Sequence, residues 1–272
     1  MTLPVISIVT CSYNQARFLE ATIRSVLAQD YPNVEYIIID GGSTDGSVDL
    51  IRRYSDQLTY WISEPDGGQS DALNKGFRRC TGDLVGWQNS DDVYLPGAFS
   101  AAVDAFQRFD ADVVFGNRLE IDRDGHRTGE LRFTPFWLPG YRYEGMSVMN
   151  QSAFWRRSLF EEIGYLDPSL HVAMDYDFFL RAALAGKRFS FVHAALGALR
   201  RHEDSKEATI FATTEQHERE AVDARYFGRR TGARLIGLLS GARRTLYYLA
   251  QGDRDYVLSG ITRRRAARRR RS

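Results

Sequence analysis

Two periods of apolar residues run through the first hundred positions. Short apolar runs at residues 5–10, 34–40, 59–62 and 84–87 read as buried strands. Between them, 17–29 places Phe18, Leu19, Ile23, Val26 and Leu27 at helical spacing, and further helices are predicted from Ser47 to about Tyr54 and over 70–79. A helix over 97–109 and a strand at 113–116 continue the alternation. The run Tyr36-Ile37-Ile38-Ile39 is nearly all apolar, as in a parallel sheet covered on both faces. The pattern predicts an α/β fold: a doubly wound, mostly parallel sheet flanked by helices.

Periodicity weakens after residue 117. Residues 118–133 read as a polar hairpin turning at Asp124-Gly125, and 157–163 and 175–186 as helices. A long polar helix is predicted over 207–226. An amphipathic one follows over 233–250, carrying Leu235, Ile236, Leu238, Leu239, Leu246 and Leu249. The arginine run at 263–272 reads as disordered when free.

Composition adds one feature that the pattern does not show. The net charge of +1 conceals a split: residues 225–272 carry fourteen Arg against two Asp, while 1–224 carry 22 basic and 33 acidic residues. The basic end predicts an anionic partner, either a membrane surface or, non-specifically, nucleic acid, and otherwise serves only solubility. Cys11 and Cys80 have neither disulfide-framework nor zinc spacing and read as reduced thiols. No leader pattern and no run of about 18 apolar residues is visible, which predicts a cytoplasmic protein, peripheral at the inner membrane face if the tail binds lipid.

In open α/β sheets ligands bind beyond the carboxyl ends of the strands. Asp40 and the pair Asp91-Asp92 fall at those ends. Adjacent carboxylates need an offsetting positive charge, and a hard divalent cation that also takes phosphate oxygens supplies it. A solvated pair capping the next helix fits equally well. No Walker loop or GxGxxG loop is present.

The stretches Ser7-Ile8-Val9-Thr10-Cys11-Ser12-Tyr13-Asn14, Ser25-Val26-Leu27-Ala28-Gln29, Ile38-Ile39-Asp40-Gly41-Gly42-Ser43-Thr44-Asp45-Gly46-Ser47, Asp71-Ala72-Leu73-Asn74-Lys75-Gly76 and Asn89-Ser90-Asp91-Asp92 together resemble glycosyltransferase family 2. The likeness is strong over 1–115 and looser over 150–206. It implies a GT-A fold and an inverting hexosyl transfer from a nucleotide-diphosphate sugar, with UDP or dTDP as the carrier. The acceptor would be a saccharide or lipid-linked saccharide in surface polysaccharide synthesis, and Mn²⁺ or Mg²⁺ the cofactor. The domains implied are a catalytic domain at 1–206, split at 115/116 into donor and acceptor halves, a helical extension at 207–262, and the tail.

The same resemblance assigns residues. Asp92 is expected to ligate the metal directly, with His202 of the Arg201-His202-Glu203-Asp204-Ser205 element reaching metal or diphosphate. Cys11, Tyr13, Asp40, Gln69, Asp71, Asn74 and Asp91 would line the donor site. Gly41 stands where the family often carries a second acidic residue used in base recognition. In Met174-Asp175-Tyr176-Asp177, Asp175 holds the catalytic-base position, although its residue type alone reads as a helix cap. One base suffices, because the leaving group is a diphosphate and needs no acid. Asn150, Gln151 and Trp155 are expected at the acceptor surface, and Trp137, Tyr141 and Tyr143 in a flap. A sugar-phosphate nucleotidyltransferase is the competing enzyme reading, though that class wants a glycine-rich basic loop where this chain has Ser12-Tyr13-Asn14-Gln15-Ala16-Arg17. A module binding nucleic acid or anionic membrane through the tail is the non-enzymatic one.

Overall fold

A computed structural model describes residues 3–144, 147–203, 205, 211–228 and 233–253. The arginine run expected to be disordered lies outside them.

The first strands are β1 (Ile6–Ser12), β2 (Val34–Asp40), β3 (Tyr60–Ser63) and β4 (Leu84–Asn89), all parallel. Helices α1 (Ala16–Leu27), α2 (Ser47–Arg53) and α3 (Gln69–Phe77) connect them. This half follows the sequence pattern closely. Helix α1 buries Phe18, Leu19, Ile23 and Val26 as one stripe, which joins Ile6, Ile8 and Ile38 of the sheet in a single core.

The second half departs from a simple β-α alternation. It contains β5 (Val93–Tyr94), α4 (Ala98–Phe109), β6 (Val113–Ile121), β7 (Arg127–Leu131), α5 (Leu138–Glu144), β8 (Ala153–Arg156), α6 (Leu159–Ile163), α7 (Met174–Leu184), β9 (Phe189–Arg200), α8 (Phe211–Phe227) and α9 (Ala233–Ala250). The sheet order is β3-β2-β1-β4-β8-β6-β9-β5, with β7 paired to β6. Strand β8 is antiparallel to both β4 and β6, so the strand at 113 does not extend the parallel series directly. Strand β9, which the sequence pattern did not reveal, runs parallel to β6 and antiparallel to β5. Register shifts between Gly116 and Arg118 mark a bulge in the β6–β9 pairing.

Contacts divide the chain into two compact units. One comprises residues 1–136 and 147–228, the other 137–146 and 229–272. Helix α8 thus groups with the sheet rather than with the expected extension, because its side chains anchor α7. Within the second unit, α5 packs on α9, and Trp137, Tyr141 and Tyr143 belong to this pairing.

Candidate active site

The loops after β1 and β2 are tied to each other. Asn14 accepts the Thr44 N–H and donates its own to Ser43 Oγ, and Ala16 N–H donates to Asp45. Asp40 holds this assembly from below. Its fully buried carboxylate accepts the N–H groups of Gly42 and Ser43 and the hydroxyls of Ser43 and Ser63. Asp40 therefore shapes the loop and has no free oxygen to offer a ligand. Cys11 is buried in β1, whereas Tyr13 is 63% exposed above it. A Cβ on Gly41 would meet Asp66 Oδ2 at 2.7 Å and Tyr13 at 3.3 Å. The Asp66 carboxylate thus lies beside position 41, and its other oxygen accepts the Gly68 N–H.

The acidic pair splits into one buried and one presented carboxylate. Asp92 is fully buried. Its Oδ1 accepts the Arg200 backbone N–H, and its Oδ2 accepts from Gln151 and Asn89. Burial first, and then the neighbouring Asp91 charge, raise its pKa. A carboxylate closed in by three protein donors does not suit the direct metal contact expected of Asp92. Asp91 does suit it. Its side chain is partly open, and Oδ2 lies 3.0 Å from Nε2 of His202. At that distance the two side chains are hydrogen-bonded to each other; both are ligand types for a divalent cation, which would have to replace the proton between them. Phe18 packs its ring 4.4 Å from the imidazole and fixes its tilt.

Several elements hold that pair in place. The Thr22 hydroxyl on α1 donates to the carbonyls of Ser90 and Asp92. Arg200 donates to the carbonyl of Asp91 and to those of Asp122 and Arg123 in the β6–β7 turn. That turn groups Asp122, Asp124 and His126, the one cluster of three ligand-type side chains among the described residues. There the Asp122 carboxylate closes the turn on the N–H groups of Asp124 and His126.

The acceptor residues expected from sequence are placed elsewhere. Gln151 and Asn150 are buried, and Gln151 bridges Arg118 to Asp92. A Cβ on Gly197 of β9 would come within 1.8 Å of the Gln151 carbonyl oxygen, so only glycine lets the strand pass. Trp155 is fully buried against Phe77, Phe160, Phe178 and Phe179. It is core, of the kind whose truncation costs about 3–5 kcal/mol, and not an acceptor platform.

Helix α3 links the acidic pair to Asp175. Gln69 donates to Asn89 Oδ1, which also accepts the Trp87 indole N–H, while the Asn89 amide donates to Asp92. Next to it, Ser70 donates to the Leu170 carbonyl and contacts Met174 Sδ. Asn74, expected at the donor, instead exchanges two hydrogen bonds with the Leu166 backbone and is buried. Asp71 accepts the Gly67 N–H, which pulls its pKa down, with Lys75 assisting.

Asp175 begins α7. Burial pushes its carboxyl up to about 7, against the Tyr176 N–H on Oδ1 and the nearby Arg219 charge, which lower it. Its other oxygen has no hydrogen-bond donor among the described residues. Asp177 is engaged by Arg181 and Tyr226 and supports the helix. Sequence reasoning missed Glu218 on α8. Its carboxylate accepts the N–H groups of His171, Val172 and Ala173, the three residues leading into α7.

A family model for glycosyl transferase family 2 matches residues 7–174. An uncharacterised glycosyltransferase of Mycobacterium tuberculosis is 35% identical over 186 residues, covering 66% of this chain and 70% of that protein. The chain belongs to glycosyltransferase family 2. A second relative, an uncharacterised glycosyltransferase of Rickettsia typhi, is 28% identical over 228 residues, or 79% of this chain and 70% of its own. Among solved structures, TarS of S. aureus in complex with UDP-GlcNAc superposes with a TM-score of 0.69 at 18% identity. The match covers 85% of this chain and 69% of that one, which is residues 1–349 of TarS. The mannosyltransferase PcManGT from Pyrobaculum calidifontis, in complex with GDP-Man and Mn²⁺, gives 0.59 at 17% identity over 96% of this chain and 87% of its own. The family 2 fold is therefore the GT-A type, and the chain is a glycosyltransferase.

Proposed function

We propose that this family 2 enzyme transfers a hexosyl group with inversion from a nucleoside-diphosphate sugar to a saccharide hydroxyl. Asp175 is the base, and Asp91 with His202 holds a divalent cation. The observation that carries this reading is the division of labour between two carboxylates. Asp91 is partly open and hydrogen-bonded to a histidine, two ligand types side by side, while Asp175 is buried, unpaired on one oxygen and raised to about 7. A base poised near neutrality takes a hydroxyl proton as the acceptor oxygen attacks. The cation would neutralise the departing diphosphate. The imidazole in the pair favours Mn²⁺ over the harder Mg²⁺.

The neighbouring residues then divide by what they reach. Exposed Tyr13 offers a ring face to the base, and Asp66 offers the acid that position 41 lacks, so base selection rests on 66. Asp40 acts through the loop it holds. The nucleotide sugars of TarS and PcManGT support the donor class, with UDP or dTDP the favoured carriers here. A lipid-linked saccharide of surface polysaccharide synthesis is the favoured acceptor.

The test is a thermal-shift screen of nucleotide sugars with and without Mn²⁺, since a ligand that binds the folded chain raises its melting point. The matching donor should shift the wild type only with metal. Asp91→Ala and His202→Ala should lose that dependence. Asp175→Asn should keep the shift and lose transfer to acceptor. Retained transfer in Asp175→Asn removes the base assignment, and a metal-dependent shift surviving in Asp91→Ala removes the cation site.

A further inference from the structure

Helix α9 carries a face that the second compact unit leaves uncovered. Leu235, Leu238, Leu239, Leu246 and Leu249 are all exposed, from 46% to 73%. With Ala242 they stand at i, i+3, i+4, i+7, i+11 and i+14, which is one stripe on a helix of 3.6 residues per turn. The opposite face holds the buried Ser240 and Tyr248 and packs against α5. The stripe is therefore the outward face, not a core face seen from the side.

The charges along this part of the sequence have one sign. No acidic residue occurs from 224 to 252, whereas arginines stand at 225, 229, 230, 234, 243 and 244. Beyond the described residues the sequence adds Arg254 and seven arginines between 263 and 271. The remainder of the chain, residues 1–224, is acidic overall. Among the described residues no helix is long and apolar enough to cross a membrane.

We propose that α9 lies in the plane of an anionic lipid surface, its leucine stripe inserted among the acyl chains and the net positive charge of residues 224–252 drawing it to the headgroups. Each alternative occupant leaves half of these features unused. Nucleic acid engages the arginines and leaves five leucines in water. A second copy docking stripe to stripe covers the leucines but brings together two segments of net positive charge with no carboxylate on the helix to offset them. An anionic bilayer takes both, as amphipathic helices with a basic border do. The acidic remainder of the chain is repelled by the same surface, which fixes the end that docks. This inference does not depend on the donor or on the base.

The experiment is flotation of the full chain with vesicles of phosphatidylcholine containing about 30% phosphatidylglycerol, against pure phosphatidylcholine, at 0.15 M salt. The wild type should float with the anionic vesicles alone. Leu238→Ser/Leu246→Ser should lose at least about tenfold in partitioning, with an unchanged melting curve. In a second measurement, Leu238→Cys carrying an environment-sensitive dye should blue-shift on the anionic vesicles. Equal flotation of the leucine variant, or no blue shift, overturns insertion of the stripe. Failure of the wild type to float also overturns the proposal. Tight duplex binding unaffected by the leucine changes then assigns the arginines to nucleic acid, and a concentration-dependent dimer abolished by those changes assigns the stripe to a second copy.

Discussion

As the proposed base, Asp175 would set activity and stability against each other. Its carboxyl is raised from 3.8 to about 7 because burial disfavours the charge. Between those values the folded chain holds a proton that the unfolded chain has released, so stability falls as pH rises across the window. Asp175→Asn removes the ionisation. The variant should therefore melt at nearly the wild-type temperature near pH 4 and above it at pH 8, by on the order of 2–4 kcal/mol. Melting curves at the two pH values check this, and an equal offset at both would mean that the carboxyl titrates normally. Transfer should have the opposite dependence and rise through about pH 7 as the base ionises. The sequence placed Asp91, Asp92 and Asp175 at the right ends of their elements, because strand ends and helix starts follow from local pattern. It did not reveal which member of the pair faces outward. That depends on Arg200 and Gln151, which reach Asp92 from 108 and 59 residues away.

Among the elements, α8 has the least visible role in sequence. Its polar run reads as a solvated helix, yet Glu218 gathers three successive N–H groups at the entrance to α7. Tyr176 donates to Asp223, and Arg225 pairs with Asp167 along the same helix. Glu218 thus fixes the backbone leading to Asp175, which makes it the expected positioning residue for the proposed base. Loss of a helix-start acceptor costs about 0.5–2 kcal/mol, too little to unfold the chain but enough to loosen the first turn. Glu218→Ala should lower kcat about tenfold or more while leaving the metal-dependent donor shift intact. With Asp175 better solvated, the acid limb of the pH profile should also move below about 7. Glu218→Asp should recover part of both effects. A fall in kcat with an unmoved pH limb would reduce Glu218 to a stability role. Strands β8 and β9 were illegible for related reasons. Strand β8 is only four residues long. Strand β9 opens on Phe-Ser-Phe-Val but continues through Ala, Leu and Gly past a bulge, so the β signal is too short to mark its twelve residues. By contrast, α1 to α4 and β1 to β4 carry clean periods and were read to within a few residues.

At the scale of the whole molecule, the second compact unit is assembled from segments some ninety residues apart, 137–146 and 229–272. No local pattern announces such a pairing. The sequence therefore offered an aromatic flap and a separate helical extension where the structure has α5 packed on α9. The contact is close at Gly140: a Cβ there would lie 2.9 Å from the Trp137 ring and 3.3 Å from Ser240 Oγ. Arg243 stands over the same Trp137 ring at 5.6 Å. Gly140→Val should wedge the two helices apart, at about 1–3 kcal/mol for overpacking. If the units open separately, the cost falls on the second alone, since local openings follow cooperative units. Hydrogen exchange followed by mass spectrometry should then show faster exchange across 233–250, with protection of β1, β2 and β4 unchanged. Loss of protection in the sheet as well would show that the chain opens as one body. Were the exchange confined to α9, Gly140→Val would also separate the roles assigned above. Vesicle binding that needs an ordered α9 should weaken, whereas the donor shift, which rests on Asp91 and His202 in the other unit, should persist.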